Sequence, residues 1–199
     1  MSPDQLLAFC TFALIASITP GPNNMMIMAS GLNHGFVRSL PHLAGICLGF
    51  TFMVAATGVG MHAVFDAVPQ LQMILKYVGA AWMVWLAWKL ANAAPMSKDG
   101  KSSTKPMSFG AAAAFQWVNP KAWVMAVGAV TSYLPHGFAL KDVLLLAAVF
   151  GLIGAPCVGI WASFGVGMQR VLQEPRAVRI FNFTMAGLLL VSLYPVLAE

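Results

Sequence analysis

The sequence predicts an all-α membrane protein of six transmembrane helices, and three observations support this fold class. Only 9% of the 199 residues are charged, against about 25% in soluble domains, and 59% are hydrophobic. Apolar runs of about 18 residues or more recur along the chain, and each is long enough to cross a bilayer as a helix. The two halves also share short matching stretches, which favours a duplicated three-helix unit.

The apolar runs define the elements in order. They place the spans at about 5–31, 39–61, 69–90, 109–133, 142–167 and 177–197. The first run is too long and too interrupted for a cleavable signal peptide, and no basic stretch precedes it, so we expect it to be retained. The polar stretch 91–107, rich in Ser, Pro and Lys, predicts a cytoplasmic linker between a first repeat at 1–90 and a second at 108–199.

Three short matches recur in the same order in both halves: a proline inside a span, the tripeptide His-Gly-Phe, and the tetrapeptide Gly-Val-Gly-Met. They stand at Pro20 and Pro120, at 34–36 and 136–138, and at 58–61 and 165–168. Because the repeated unit has an odd number of helices, its second copy enters the membrane from the opposite face. The matches therefore predict inverted-topology repeats.

The basic residues predict the orientation. Eight of the eleven Lys and Arg residues lie in or beside the loops after spans 1, 3 and 5, whereas the opposite loops hold only Lys141. By the positive-inside rule, the three basic loops are cytoplasmic and both termini face outside. Topology thus accounts for the net charge of +5. No Arg-aromatic cluster indicates nucleic-acid binding, and we expect no nucleic-acid partner.

Spans 1 and 4 each contain a helix-breaking sequence, Thr-Pro-Gly-Pro-Asn-Asn at 19–24 and Asn-Pro-Lys at 119–121. At about 1.5 Å per residue, both breaks fall near the midplane of the bilayer. Backbone groups freed there cannot face lipid. Asn119 followed by Pro120 is typical of a helix N-terminus, and two such N-termini at one depth would attract an anion such as a carboxylate. A pair of packing kinks is the alternative interpretation.

These two motifs, together with a Gly-rich second span, resemble the LysE/RhtB family of amino-acid exporters over nearly the whole chain. The resemblance implies a bacterial inner-membrane carrier that exports amino acids or their relatives and is driven by the proton gradient. It implies roles for Pro20, Gly21, Pro22, Asn23, Asn119, Pro120 and Lys121. Thr19 and Asn24 of the first motif complete the candidate substrate site.

One position departs from the family pattern. Family members often carry an acidic residue directly after the second glycine of a G-x-x-x-G in span 2, where this chain has Phe50. No Asp or Glu lies well inside any predicted span. We therefore expect a neutral zwitterion, similar to threonine, homoserine or leucine, and not lysine or arginine. His42 is the leading titratable group for proton coupling, although its place near a span end also fits an interfacial position.

Lys121 is an ionisable residue at membrane depth, which indicates a functional role. The alternative is a long side chain that snorkels toward the cytoplasm. A site with Lys121 and two helix N-termini is positive and suits the carboxylate of a substrate. The ammonium of the substrate would then need neutral acceptors, such as carbonyls freed near Thr19 and Val118 or the side chains of Asn23 and Asn119.

The cysteines suggest a function of another class. Cys47 and Cys157 begin the similar stretches Cys-Leu-Gly-Phe and Cys-Val-Gly-Ile in corresponding spans, and two facing thiols could form a membrane thiol-redox relay. Packing is the simpler interpretation of small apolar cysteines. Without a C-x-x-C, a Ser-His-Asp set or a carboxylate pair, we expect no enzyme activity, metal or cofactor. The expected partners are a small-molecule amino acid, the lipid bilayer and, as an option, a second copy of the chain.

Overall fold

The structure is a computed structural model, and it describes residues 2–61, 69–92, 106–134, 137–168, 174–191 and 193. Within these ranges every regular element is helical, and the predicted all-α class is confirmed. The helices are α1 Pro3–Ile18, α2 Pro22–His34, α3 Phe36–Ala56, α4 Pro69–Ala91, α5 Phe109–Phe115, α6 Pro120–Tyr133, α7 Leu140–Met168 and α8 Pro175–Val191. A π-helical turn, Thr57–Met61, extends α3, and a 3₁₀ turn, Gln116–Val118, follows α5.

Within the described residues, each predicted span corresponds to one helix or to a broken pair, and residues 192 and 194–197 of the last predicted span lie outside them. The stretch Phe36–Gly60 and helix α7 are each long and apolar enough to cross a membrane, and α1 with α2 qualifies as one span bent by 54°. Phe109–Val118 is a shorter apolar helix. The six-span arrangement therefore stays a prediction. Residues 93–105 of the predicted linker and His136 of the second His-Gly-Phe lie outside the described residues.

Local sequence explains where the first helices begin and end. In the capping box of α1, Ser2 Oγ accepts a hydrogen bond from the Gln5 backbone N–H, and the Gln5 side chain accepts one from Ser2 N–H. Helix α1 ends at Ile18 because the prolines that follow cannot continue its hydrogen-bond ladder. Gly35, at φ 78°, connects α2 to α3 in a conformation that other residues rarely adopt.

Helix α7 lies at the centre of the packing and contacts α1, α2 and α3. Helices α2 and α7 approach so closely that a Cβ on Gly31 would meet the backbone of Ala162, and one on Gly165 would meet the backbone of Met28. In the same way, Gly49 of α3 lies against the backbone of α5. Small residues thus bring one helix of each break close to a neighbour, α2 to α7 and α5 to α3.

Aromatic rings fill the space beside the breaks. Phe150 of α7 is fully buried, and its ring packs edge-on against Phe50 at a centroid distance of 4.9 Å and against Phe9 at 5.6 Å. Phe50 therefore belongs to the core cluster between α1, α3, α6 and α7. An acidic side chain at this position would have to lie among these rings.

Candidate functional site

The break between α1 and α2 exposes backbone carbonyls, and side chains from other parts of the chain bind them. Asn24 Nδ2 donates hydrogen bonds to Ser17 O and Thr19 O, both at 2.8 Å. Trp161 Nε1, on α7, donates to Ile18 O at 3.0 Å. A helix C-terminus leaves its last carbonyls without partners. At this break those carbonyls are satisfied by side chains.

Lys121 completes the set of donors at the first break. Its Nζ donates to Thr19 O at 2.8 Å, to Thr19 Oγ1 at 2.9 Å and to Pro20 O at 2.9 Å. These three bonds match the three protons of an ammonium group. The side chain therefore points to the opposite helix break, and the snorkelling interpretation does not describe it. Among the described residues no carboxylate pairs with this charge.

At the second break, backbone groups find their hydrogen-bond partners in the neighbouring sequence. After the 3₁₀ turn, Asn119 caps α6, because its Oδ1 accepts a hydrogen bond from Lys121 N–H at 3.2 Å, and Pro120 occupies the first helical position. Trp123 Nε1 donates to Trp117 O at 2.9 Å across the same turn. This N-terminus thus uses an acceptor of its own sequence.

The N-terminus of α2 is different. Its N-cap is Gly21, which has no side chain to accept a hydrogen bond, and Pro22 has no N–H. Within the described part of the chain, neither Asn23 N–H nor Asn24 N–H has an acceptor. The N-terminus of α2 therefore offers two neighbouring N–H groups to an anion, whereas at the start of α6 Asn119 already binds the N–H of Lys121.

An amide pair joins the two breaks and was missed by the sequence analysis. Asn23 Nδ2 donates to Gln116 Oε1 at 2.8 Å, and Gln116 Nε2 donates back to Asn23 Oδ1 at 3.1 Å and to Ala112 O at 2.9 Å. Gln116 is fully buried. The signal for it was present in the sequence, because Gln116 is the single polar side chain in the apolar stretch Phe109–Val118.

A cavity of about 50 Å³ lies between the breaks, which is room for a few water molecules. Most of the predicted site residues line this cavity. They are Gly21, Pro22, Asn23, Asn24, Asn119 and Lys121. Thr19 and Pro20 contribute the oxygens that hold Lys121, and Pro120 is buried at the start of α6. The rest of the wall is mainly apolar, with Phe50, Met125 and Phe150 the largest side chains.

His42 is buried in α3, with 2% of its surface exposed, so its ring lies in the interior of the protein. Neither ring nitrogen has a hydrogen-bond partner among the described residues. His42 does not line the cavity, but it lies one helical turn before Ile46, which does. Its burial without a partner calls for a physical reason.

The two cysteines of the thiol-relay hypothesis lie on neighbouring helices. Cys47 lines the cavity and is partly exposed, whereas Cys157 is buried. Both are free thiols, as is Cys10.

The matches with known proteins extend over nearly the whole chain and include both breaks. The family model described as LysE type translocator matches residues 14–196. A cysteine/O-acetylserine efflux protein of Escherichia coli O157:H7 is 40% identical over 196 residues, which cover 96% of this chain and 96% of the relative. A protein of the same name from Escherichia coli O1:K1 / APEC is 41% identical over 180 residues, which cover 87% of this chain and 89% of the relative. No solved structure matches the chain at a significant level.

Proposed function

This chain belongs to the LysE type translocator family, and we propose that it exports small neutral amino acids and their close derivatives. Membership places it among multi-pass inner-membrane proteins that export amino acids, a class of transporters and not of enzymes. Its relatives at about 40% identity are named for the efflux of cysteine and O-acetylserine, two small zwitterions. The comparisons lend no support to a thiol-redox relay.

The observation that carries the substrate class is the charge of the site. Lys121 places one positive charge at the breaks, and no carboxylate of the described residues compensates it. The free N–H groups of Asn23 and Asn24 add partial positive charge. A substrate carboxylate fits there. A second positive charge, as in lysine or arginine, would be left without a partner away from water, at a cost of several kcal/mol.

The walls of the cavity favour a short side chain. The packed rings of Phe50 and Phe150, together with Met125, line the cavity and limit its volume. A cavity of about 50 Å³ admits little more than a few water molecules in this state, so entry of an amino acid requires the site to widen. Cysteine, O-acetylserine, threonine and homoserine are substrates of suitable size.

The proposed architecture is a pair of inverted three-helix repeats that rock around the site. The pairing of helices supports it: α3 packs on α7, α4 packs on α8, and the contact of α1 with α7 is matched by that of α5 with α3. Exchanging the two halves maps this set of pairs onto itself.

Both termini face outside in this proposal. A Gly100→Cys variant should therefore resist an impermeant thiol reagent in whole cells, and labelling there would contradict the topology.

We propose proton coupling through His42. A buried imidazole without partners, one turn from a residue of the cavity wall, could take a proton when the site opens. Arg38 lies one helical turn before His42 on α3, but its side chain is exposed, so it does not share the buried position of His42. The His42→Gln variant should keep downhill exchange of substrate but lose stimulation by a pH gradient. Equal stimulation of variant and wild type would assign coupling to another group.

The deciding experiment is transport into inside-out vesicles with a panel of labelled amino acids, with and without a pH gradient. Vesicles that contain the wild type should accumulate cysteine, O-acetylserine, threonine or homoserine faster than vesicles without the protein, and the gradient should increase the rate. Lysine and arginine should stay at the background rate. Efficient transport of either cationic amino acid would refute the positive site.

A further inference from the structure

We infer that Lys121 occupies the binding place of the substrate's own ammonium group and leaves it when the substrate enters. This inference rests on the proposed function and adds the way in which the site recognises its substrate. The binding place consists of Thr19 O, Thr19 Oγ1 and Pro20 O, which we call the oxygen triad.

The geometry of the oxygen triad is that of a receptor for a primary ammonium. Its three oxygens lie at 2.8, 2.9 and 2.9 Å from one nitrogen, and each accepts one hydrogen bond from it. Two are backbone carbonyls that a continuous helix would have used in its own ladder. The α-amino group of an amino acid at neutral pH is the same –NH₃⁺ group as the end of a lysine side chain. The triad can therefore hold either one.

The surroundings allow the exchange. Lys121 carries its charge on a flexible four-carbon stem that lies along the cavity and passes Gly21, where a Cβ would come within 2.6 Å of Lys121 Cδ. A substrate carboxylate near the free N–H groups of Asn23 and Asn24 would attract the lysine ammonium. Lys121 would then exchange three neutral acceptors for a carboxylate, while the substrate ammonium takes the triad. Neither positive charge is left without a partner.

The exchange sets two requirements. A substrate needs both a carboxylate, to draw Lys121 away, and a primary ammonium, to replace it. If Lys121 has a fixed structural role and does not move, a carboxylate alone is enough for a ligand to bind.

Three matched probes separate these possibilities: homoserine, 4-hydroxybutyrate, which lacks the amino group, and 3-aminopropan-1-ol, which lacks the carboxylate. Cys47 lines the cavity, and binding is measured as the protection of its thiol from reaction with a maleimide. The protein carries Cys10→Ser and Cys157→Ser, so that only Cys47 can react. In the otherwise unchanged protein, homoserine should protect Cys47 and 3-aminopropan-1-ol should not, because Lys121 fills the triad. In the Lys121→Met variant the triad is empty, so 3-aminopropan-1-ol should protect and should compete with homoserine.

Thr19→Val removes one oxygen of the triad. In the Lys121→Met variant, Thr19→Val should raise the concentration of 3-aminopropan-1-ol that half-protects Cys47 at least about tenfold, as expected for the loss of one hydrogen bond to a charged group. Thr11→Val is the matched control, because Thr11 Oγ1 bonds only Leu7 O of its own helix, and it should change nothing. Thr19→Ser should retain the protection.

A second measurement does not depend on the Lys121 variant. With Lys121 present, Thr19→Val should strengthen protection by 4-hydroxybutyrate, because Lys121 leaves a weakened triad more easily. No protection of Lys121→Met by 3-aminopropan-1-ol, together with an unchanged response to 4-hydroxybutyrate, would overturn the inference. Failure of the proposed function looks different, since the protein with Lys121 would then neither export any amino acid nor be protected by homoserine.

Discussion

The two helix breaks both form at proline-containing motifs, at 19–24 and at 119–121, yet they are built in opposite ways. The first bends the chain by 54° and exposes carbonyls that side chains from elsewhere must bind. The second passes through a 3₁₀ turn and caps its own helix with Asn119. The first break supplies acceptors and the second supplies a donor, Lys121. Two motifs that look equivalent in sequence have complementary roles in one site.

The largest effect is expected where the donor of the second break is removed. Lys121→Met abolishes the three hydrogen bonds to the first break and the charge that faces a substrate carboxylate. Because each such bond contributes about 1.5–3 kcal/mol, we expect export to fall by about 100-fold or more. Initial transport rates in vesicles with equal amounts of protein measure this. The control is Lys76→Met, near the start of α4, which should lower the transport rate only slightly. A fully active Lys121→Met protein would contradict the role of this residue.

The next effect concerns the acceptors of the first break. Asn24→Leu removes one buried and one partly buried hydrogen bond and takes the side-chain donor away from Ser17 O, so the free energy of unfolding should drop by about 1–3 kcal/mol. Asn33→Leu, which removes a bond to Ala29 O inside the same helix, should cost less. Thermal unfolding of the purified proteins in detergent compares the two. Equal losses would mean that the first break needs no special support.

A smaller effect is expected from crowding Lys121 without removing it. Gly21→Ala places a Cβ at 2.6 Å from Lys121 Cδ, so the side chain has to shift and its bonds to Thr19 and Pro20 weaken. We expect KM to change by about three- to tenfold, the equivalent of about 1 kcal/mol, with little loss of stability. Gly128→Ala, whose Cβ would have Phe12 Cζ as its nearest neighbour at 3.7 Å, is the matched control. Transport kinetics that do not distinguish the two variants would count against a sensitive position of Lys121.

The smallest effect is expected at the cap of the second break. Asn119→Ala removes the hydrogen bond to Lys121 N–H and should lower the free energy of unfolding by about 1 kcal/mol, the usual cost of a lost N-cap. Asn119→Asp should retain the cap. Unfolding curves of both variants test this. A much larger loss on Asn119→Ala would show that the second break, like the first, depends on more than its own cap.

The helix breaks could be predicted from the sequence because proline, glycine and asparagine act on their immediate neighbours. The prolines end α1, and Asn119 with Pro120 begins α6, as expected. The two motifs predicted equivalent N-termini, although the N-cap residues already differ. Gly21 offers no acceptor and Asn119 does.

The partners across the site could not be predicted in the same way. Asn23 meets Gln116 at a sequence separation of 93 residues, and Trp161 meets Ile18 at 143. Such pairs depend on how the helices pack, and no local pattern encodes that arrangement. A polar residue in an apolar stretch, such as Gln116, indicates that a partner exists but not which one.

The contact of α2 with α7 also determines which helices can move relative to one another. A carbonyl of each helix lies in the hollow left by a glycine of the other, at Gly31 and at Gly165, so neither can slide without collision. We therefore expect this contact to keep its register and to serve as the pivot about which the two proposed repeats rock. The mechanical freedom of the first break then lies at residues 19–21, between α1 and α2, and this hinge contains the oxygens that hold Lys121. Loading the site and swinging α1 would be one event.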